Sequence, residues 1–393
     1  MPGRTMADMT DDNTTVVIVG AGVAGLTLGN FLLRGGIGCI IVEKHSREYV
    51  EQRQRAGTID TRGVRMYRAW GLGEVLDGNP IPEAEGGFYI DGQEMALDFE
   101  DDEGSESLYC PQSVLVRNLT DVFLRDGGDL RYSAAGVTLD GIGGANPVVR
   151  YGDVAIGCSY VAGCDGYHGV SRASIPDGVL TRYSYDYPYS WLSVLAAVPA
   201  TRPSGMAIHS RGLAGLIPRG AELSRIYLQC PLGDTAAQWP AERIWSELEA
   251  RFGTAVPTGE IVDKRIVALR NVVHEPMEHG RLYLLGDAAH IVPPMSAKGI
   301  NLALNDAEVF ARAIIEQVGK GDSGLLDEYS ATCLGHIWNY QAFATWITET
   351  MHNAGDTTYA GEFRKQVARA ELQRQFASPA ANRLFAELAA GTN

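Results

Sequence analysis

The apolar run Val16-Val17-Ile18-Val19 ends at Gly20-Ala21-Gly22-Val23-Ala24-Gly25, and Glu43 stands 18 positions beyond the last glycine. Few short patterns constrain a fold as tightly. The run predicts a buried strand, the glycines a tight turn, Leu26 to Leu33 a helix, and Cys39-Ile40-Ile41-Val42 a second strand that Glu43 ends. Gly20 permits the turn, Gly22 lets a pyrophosphate approach the backbone, and Gly25 lets the helix pack closely on the sheet. The N–H groups at the helix start then face the phosphates. The Glu43 carboxylate is placed to accept hydrogen bonds from a ribose diol. A lone glycine pattern can be a mere packing turn, but the complete strand–turn–helix–strand–Glu unit points to a bound dinucleotide.

Two later segments indicate which dinucleotide. Gly286-Asp287-Ala288-Ala289-His290 follows the strand-like Leu282-Tyr283-Leu284-Leu285. Pro293-Pro294-Met295-Ser296-Ala297-Lys298-Gly299-Ile300-Asn301 then opens a helical stretch through Val318. An aspartate at a strand end suits a chain of hydroxyls, which in FAD is the ribityl. A glycine-bearing turn feeding a helix offers N–H groups and a positive dipole end, where a reduced flavin's negative N1/O2 edge would rest. Asp and Gly are also favoured in ordinary turns, so spacing alone leaves both readings of this segment open. A third glycine-and-aspartate strand end, Gly163-Cys164-Asp165-Gly166-Tyr167-His168-Gly169, follows Tyr160-Val161-Ala162.

These three segments, in this order, resemble the flavoprotein aromatic hydroxylases (class A monooxygenases), and most closely their 4-hydroxybenzoate-hydroxylating branch. The resemblance runs from Thr15 to about Ala390 and is densest from Trp239 to Tyr340, including Glu275-Pro276-Met277-Glu278-His279-Gly280-Arg281; Gln52-Arg53-Gln54-Arg55-Ala56-Gly57 also carries it. It implies an α/β fold with a discontinuous Rossmann-like FAD-binding domain (15–80, 108–180 and 276–324). It further implies an inserted β-rich substrate domain (81–107 and 181–275) and a C-terminal helical region (325–393), behind a polar tail (1–14). It implies noncovalent FAD, NADPH as reductant with NADH as the other option, O₂, and an aromatic substrate hydroxylated through a flavin C4a-hydroperoxide. That chemistry belongs to the cofactor. The protein's part is to hold the ring in place and exclude water.

The bulk properties agree with such an enzyme. The 393 residues suit two intertwined subdomains, and 45% hydrophobic with 21% charged residues is ordinary for a globular chain. A net charge of −15 argues against nucleic acid and against an anionic membrane surface. The six cysteines are scattered without a CxxC pair, so they read as reduced and structural, in a cytoplasmic setting. Neither a membrane helix nor a signal peptide is expected. The eight histidines are dispersed, and no metal site is expected. Trp191 to Val198 and Arg225 to Gln229 read as strands, the latter alternating so that Arg225, Tyr227 and Gln229 share a face. Trp338, Phe343, Trp346 and Ile347 form an apolar helical stripe that reads as core or as a subunit interface, so a homodimer is among the expectations.

The resemblance assigns roles residue by residue. Gly20, Gly22, Gly25 and Glu43 hold the AMP half of FAD. Arg53 and Arg55 lie near the pyrophosphate and flavin, Gln112 and Asp165 at the adenosine-side linker, and Asp287 at the ribityl. The backbone of Lys298, Gly299, Ile300 and Asn301 sits at the flavin N1/O2 edge, and the Pro294 carbonyl lines the reaction pocket. Lys44, Tyr49 and Arg270 look like nicotinamide-coenzyme contacts, and Lys44 with His45 supplies charge that favours a 2′-phosphate.

The substrate pocket departs from the branch's pattern. Met206 stands where the phenol-holding tyrosine is expected, Ala389 where a second, proton-relaying tyrosine is, Ala84 where the histidine leading to solvent is, and Ile217 where the carboxylate-binding serine is. Arg219, Arg225 and Tyr227 are retained. The expectation is a hydroxylase for a larger or more electron-rich aromatic than 4-hydroxybenzoate, an acid among the options, in specialised metabolism. The alternative is a flavin oxidase, or a non-oxygenating flavin-binding accessory protein on the same fold.

Overall fold

The computed structural model describes residues 12–52, 57–77, 87–95, 106–199, 203–353 and 359–391. The chain divides into two compact units, one of residues 1–78, 106–184 and 271–341, the other of 79–105, 185–270 and 342–393. The C-terminal helices are therefore not a body of their own: the helix Tyr329–Asn353 begins in the first unit and ends in the second.

The first unit is built on a sheet with the strand order Glu278–His279, Leu282–Leu284, Val154–Gly163, Asp12–Val19, Cys39–Val42 and Asp129–Arg131. Asp12–Val19 lies between two parallel neighbours, Val16 pairing with both Tyr160 and Cys39. Val16, Val17 and Ile18 are fully buried, which is why this strand reads as an unbroken apolar run. The strand begins at Asp12, so the expected tail of residues 1–14 is too long: Asp12, Asn13 and Thr14 pair with Ile156, Gly157 and Cys158. Their polar side chains suit the strand's less buried end, where Asp12 meets Arg131 at 2.8 Å. The helix Val23–Arg34 packs against the long helix Gly299–Lys320, which stops at Gly321 in a left-handed turn.

The second unit carries a largely antiparallel sheet. Its strands run in the order Ile261–Glu275, Thr181–Ala196, Ser224–Pro231, Gly212–Pro218, Gly205–His209, Gly87–Ile90 and Gln93–Met95, the first two being shared with the first unit. One face supplies Leu192, Val194, Leu216, Ile226 and Leu228 to a core closed by Trp239 and by Ile244, Leu248 and Phe252 of the helix Ala241–Phe252. Each such side chain contributes roughly 1.5–3 kcal/mol by burial. Arg251, buried on that helix, donates to the carbonyls of Leu213 at 2.8 Å and Gln229 at 3.0 Å and fastens helix to sheet.

The expected apolar stripe is split. Phe343 and Ile347 are buried, and Phe343 packs with Trp346 and Phe385 in the second unit. Trp338 is 41% exposed in the first unit and meets Tyr183 edge-on at 5.4 Å. Helical spacing placed it on one side without saying which neighbours cover that side. All six cysteines are buried and free, and burial pushes the Cys39 and Cys158 thiols up to about 12. No helix among the described residues is long and apolar enough to cross a membrane.

Candidate functional site

The fingerprint glycines are required for different reasons. Gly20 has φ +106°, and a Cβ there would lie 2.5 Å from the Cys164 carbonyl oxygen. A Cβ on Gly25 would lie 2.0 Å from the Gly20 carbonyl oxygen. At Gly22 a Cβ would meet nothing within 4 Å. Two glycines thus serve packing, and the middle one faces the open space a pyrophosphate needs. The helix Val23–Arg34 starts at Gly22 without a side-chain cap, so its first amides are left for an anion. Glu43 is 8% exposed and accepts the Ala21 amide through Oε2 and the His45 amide through Oε1, both at 2.9 Å. Each carboxylate oxygen keeps a lone pair for a ribose hydroxyl.

Asp165 and Asp287 sit at two neighbouring strand ends. Asp165 Oδ2 accepts the Ser171 amide at 2.9 Å and the Ser171 hydroxyl at 3.0 Å, which caps the short helix Val170–Ala173. Burial raises its pKa. Gly169 must be glycine here, because a Cβ would fall 2.0 Å from the Asp165 carboxyl carbon. Asp287 belongs to the turn Gly286–Ala288. That turn is anchored by Asp306, whose Oδ2 accepts the Gly286 amide at 2.9 Å and lies 2.6 Å from His290 Nε2.

The segment expected at the flavin edge has its own support. Pro294–Ser296 is a helical turn closed by the Ala297 amide donating to the Pro294 carbonyl at 3.1 Å. Ala297 has φ +53°, a left-handed conformation unusual for a non-glycine residue. Lys298 caps the helix Gly299–Lys320, whose first turn, with Gly299, Ile300 and Asn301, has no acidic residue. Lys298 Nζ donates to Asp60 Oδ2 at 2.7 Å, and the Tyr340 ring centroid lies 4.9 Å from Nζ. Desolvation lowers the Lys298 pKa while Asp60 pulls it back up. Asp60 also accepts the Gly63 amide at 2.9 Å and gives its own amide to Asn301 Oδ1 at 3.1 Å. Beside them Arg62 reaches His336 Nε2 at 2.9 Å and Asn305 Oδ1 at 2.6 Å. Burial, then the Arg62 charge, pushes His336 down to about 4. The result is a helix start without a side-chain cap or an acidic first turn, with the Arg62 guanidinium nearby, electrostatics that suit an anionic ring edge. The residues present therefore fit FAD.

Of the expected coenzyme residues, Lys44 is exposed, and Tyr49, 50% exposed, stacks on His45 at 4.1 Å. Gln112 opens the helix Gln112–Arg125. Arg270, in the second unit, lies 3.6 Å from Asp186. Arg53, Arg55 and Ala84 lie outside the described residues.

In the second unit the sheet face opposite the core gathers the expected substrate residues. Register aligns Ser193, Tyr227, Gly215, Met206 and Phe88 in one row, and Leu195, Arg225 and Ile217 in the next. Arg225 is 5% exposed, its Nη1 donates to Ser193 Oγ at 3.4 Å, and burial lowers its pKa. Arg219 stands just past the strand end, its amide donating to the Leu223 carbonyl at 2.7 Å. Sequence reasoning missed the support of this face. Trp191 packs on Tyr227 at 4.7 Å and donates from Nε1 to His352 Nε2 at 2.7 Å. His352 Nδ1 then donates to the Thr348 carbonyl at 2.6 Å, and the ring stacks on Tyr189 at 4.2 Å. Complete burial pushes His352 down to about 3 and keeps it neutral.

A family model described as an FAD binding domain matches residues 13–344. The chain is 34% identical over 383 residues to p-hydroxybenzoate hydroxylase of Acinetobacter baylyi, covering 95% of this chain and 94% of that one. It is 26% identical over 345 residues to a 3-(3-hydroxy-phenyl)propionate/3-hydroxycinnamic acid hydroxylase of a Mycobacterium species, covering 81% of this chain but just 57% of that longer protein. Among solved structures, p-nitrophenol 4-monooxygenase from Pseudomonas putida superposes with a TM-score of 0.78 at 18% identity, over 97% of this chain and 100% of that one.

Proposed function

Because the chain belongs to the FAD-binding-domain family of FAD-dependent aromatic monooxygenases, we propose that it hydroxylates an aromatic substrate other than 4-hydroxybenzoate, using NADPH and O₂. One observation carries the substrate part of this reading. The face that holds Tyr227 and the buried Arg225 presents Met206, Gly215 and Ile217 beside them, apolar where a phenol and its carboxylate would call for hydroxyls. A thioether and a branched alkyl group neither accept a proton from a phenol nor bind a carboxylate. The ring would rest on that apolar surface, and an acid group would turn to Arg225 or Arg219.

When bound and reduced, FAD supplies the electrons that let O₂ react with a closed-shell ring. Glu43 and the amides after Gly22 would hold its AMP half, Asp287 its ribityl, and the amides from Lys298 to Asn301 its ring edge. The Lys298–Asp60 pair would fix the chain at that helix start, and the Arg62 guanidinium, bonded to His336 and Asn305, would supply positive charge beside it. Exposed Lys44 and the His45–Tyr49 stack offer the charge and ring surface that a 2′-phosphorylated coenzyme would use.

The test is NADPH oxidation by the FAD-loaded protein with 4-hydroxybenzoate, aminobenzoates and indole carboxylates, followed by product analysis. Stimulation by one of the latter, with a hydroxylated product, is expected. Tightly coupled conversion of 4-hydroxybenzoate to the 3,4-diol would refute the substrate assignment. An apolar site of this kind disfavours a hydroxyl-bearing ring by about 10²-fold.

A further inference from the structure

The candidate substrate face has one pinned wall and one loose wall. Tyr227 leans on Trp191, Trp191 is tied to His352, and His352 is tied to the Thr348 carbonyl. Trp191 and His352 are each 2% exposed, so the Tyr227 ring has a fixed backing. On the other side of Tyr227 the register places Gly215 and then Met206. A Cβ on Gly215 would lie 2.9 Å from Met206 Sδ, 3.4 Å from Met206 Cε and 3.4 Å from Tyr227 Cδ2. Gly215 is not in the left-handed region, so its backbone does not require glycine. What fills the space is the Met206 thioether, which lies across the place where a side chain would stand. An unbranched thioether with three rotatable bonds can leave such a place at small cost, whereas Tyr227 is backed by Trp191, which its hydrogen bond to His352 holds in place.

We propose that Met206 and Gly215 together set the size of ring this enzyme accepts. The methionine swings off the glycine to admit an aromatic acid of two fused rings, seated against Tyr227 with its carboxylate toward Arg225 in the adjoining row. This rests on the aromatic-hydroxylase reading above and adds the substrate class. A single ring leaves the Gly215 position filled by the methionine itself; a second ring replaces the thioether there.

The experiment measures binding of two probes, 4-hydroxybenzoate and 6-hydroxy-2-naphthoate, through their perturbation of flavin absorption in the FAD-loaded protein. The unmodified protein should bind the naphthoate more tightly. Gly215→Ala, which places a methyl group under the thioether, should weaken the naphthoate by about tenfold or more and the benzoate by no more than about threefold, since one methyl-sized change in an apolar site is worth about 10–200-fold. Met206→Ala in the Gly215→Ala background should restore much of the loss. Met206→Leu gives an independent reading that leaves Gly215 intact: its branched side chain is stiffer, and the preference for two rings should shrink. Equal weakening of both probes by Gly215→Ala and Met206→Leu overturns the inference alone, as does a single-ring preference in the unmodified protein. FAD-loaded protein that binds neither probe and shows no aromatic-stimulated NADPH oxidation overturns the hydroxylase reading as well.

Discussion

His290 Nε2 lies 2.6 Å from Asp306 Oδ2, and the same oxygen accepts the Gly286 amide at 2.9 Å. Both side chains are shut off from solvent, at 2% and 0% exposure. The carboxylate therefore fixes both ends of the loop that carries Asp287. Asp306→Ala should loosen that loop, weaken FAD binding by about tenfold or more and lower the melting temperature, because hydrogen bonds to a charged group contribute ~1.5–3 kcal/mol each. Asp306→Asn should fall between. Titration of apoprotein with FAD checks this, and a folded Asp306→Ala variant with unchanged affinity would remove Asp306 from any positioning role.

Asp287→Ala should also weaken FAD binding by roughly tenfold or more, through loss of the acceptor for a ribityl hydroxyl. Asp287 lies in a turn rather than in the core, so the melting temperature of the apoprotein should move little. That contrast separates it from Asp306. The measurement is FAD affinity and apoprotein stability side by side, and equal losses in both would contradict the assigned role.

The parts of the site that were legible in the sequence are local. The fingerprint could be read because the strand, the turn, the helix and Glu43 are contiguous, and each glycine answers a backbone constraint within that stretch. The strand through Tyr227 could be read because alternation marks a face. The missed pairs are Asp60 with Lys298, Trp191 with His352, and Asp306 with Gly286 and His290. Two of these join residues more than 150 positions apart and leave no periodic trace. The Asp306 pair is closer in sequence, but an aspartate in a helix after GDAAH looks like any solvated residue until its burial is known. Gly215 left no sequence signal because what singles it out is its neighbour's thioether over its Cβ position, not its own backbone.

Burial, with Asp327 adding to it, pushes the Glu278 carboxyl up from 4.5 to about 7. An acid that holds its proton more tightly when folded adds stability at low pH. That stability is lost as pH rises from about 4.5 through about 7. Glu278→Gln, neutral at every pH, should therefore raise the unfolding free energy near pH 8 relative to the unmodified protein, by on the order of 1–3 kcal/mol with a higher melting temperature, and change both little near pH 4. A difference independent of pH would show that the Glu278 carboxyl does not titrate in this way.

His352 works in the opposite window. Its folded pKa is pushed down to about 3 from 6.5, so the neutral ring contributes stability above pH 6.5 that is lost as pH falls toward 3. His352→Phe should flatten the acid limb of the stability curve. It should also leave the Trp191 indole N–H without its acceptor, at a cost of ~1–3 kcal/mol at neutral pH, and change the tryptophan emission spectrum. An acid limb identical to that of the unmodified protein would exclude His352 as its source.

The chain passes back and forth between its two units, and each is assembled from three separate segments. No single breakpoint in the gene can exchange one unit while leaving the other whole. A lineage with this arrangement cannot acquire a new substrate by swapping in a foreign module, as a beads-on-a-string enzyme can. Its direct route is to change specificity in place, by point substitutions on one face of a sheet while the cofactor frame stays as it is. A sheet face that sets Met206 and Ile217 beside Arg225 and Tyr227 is where such substitutions would act.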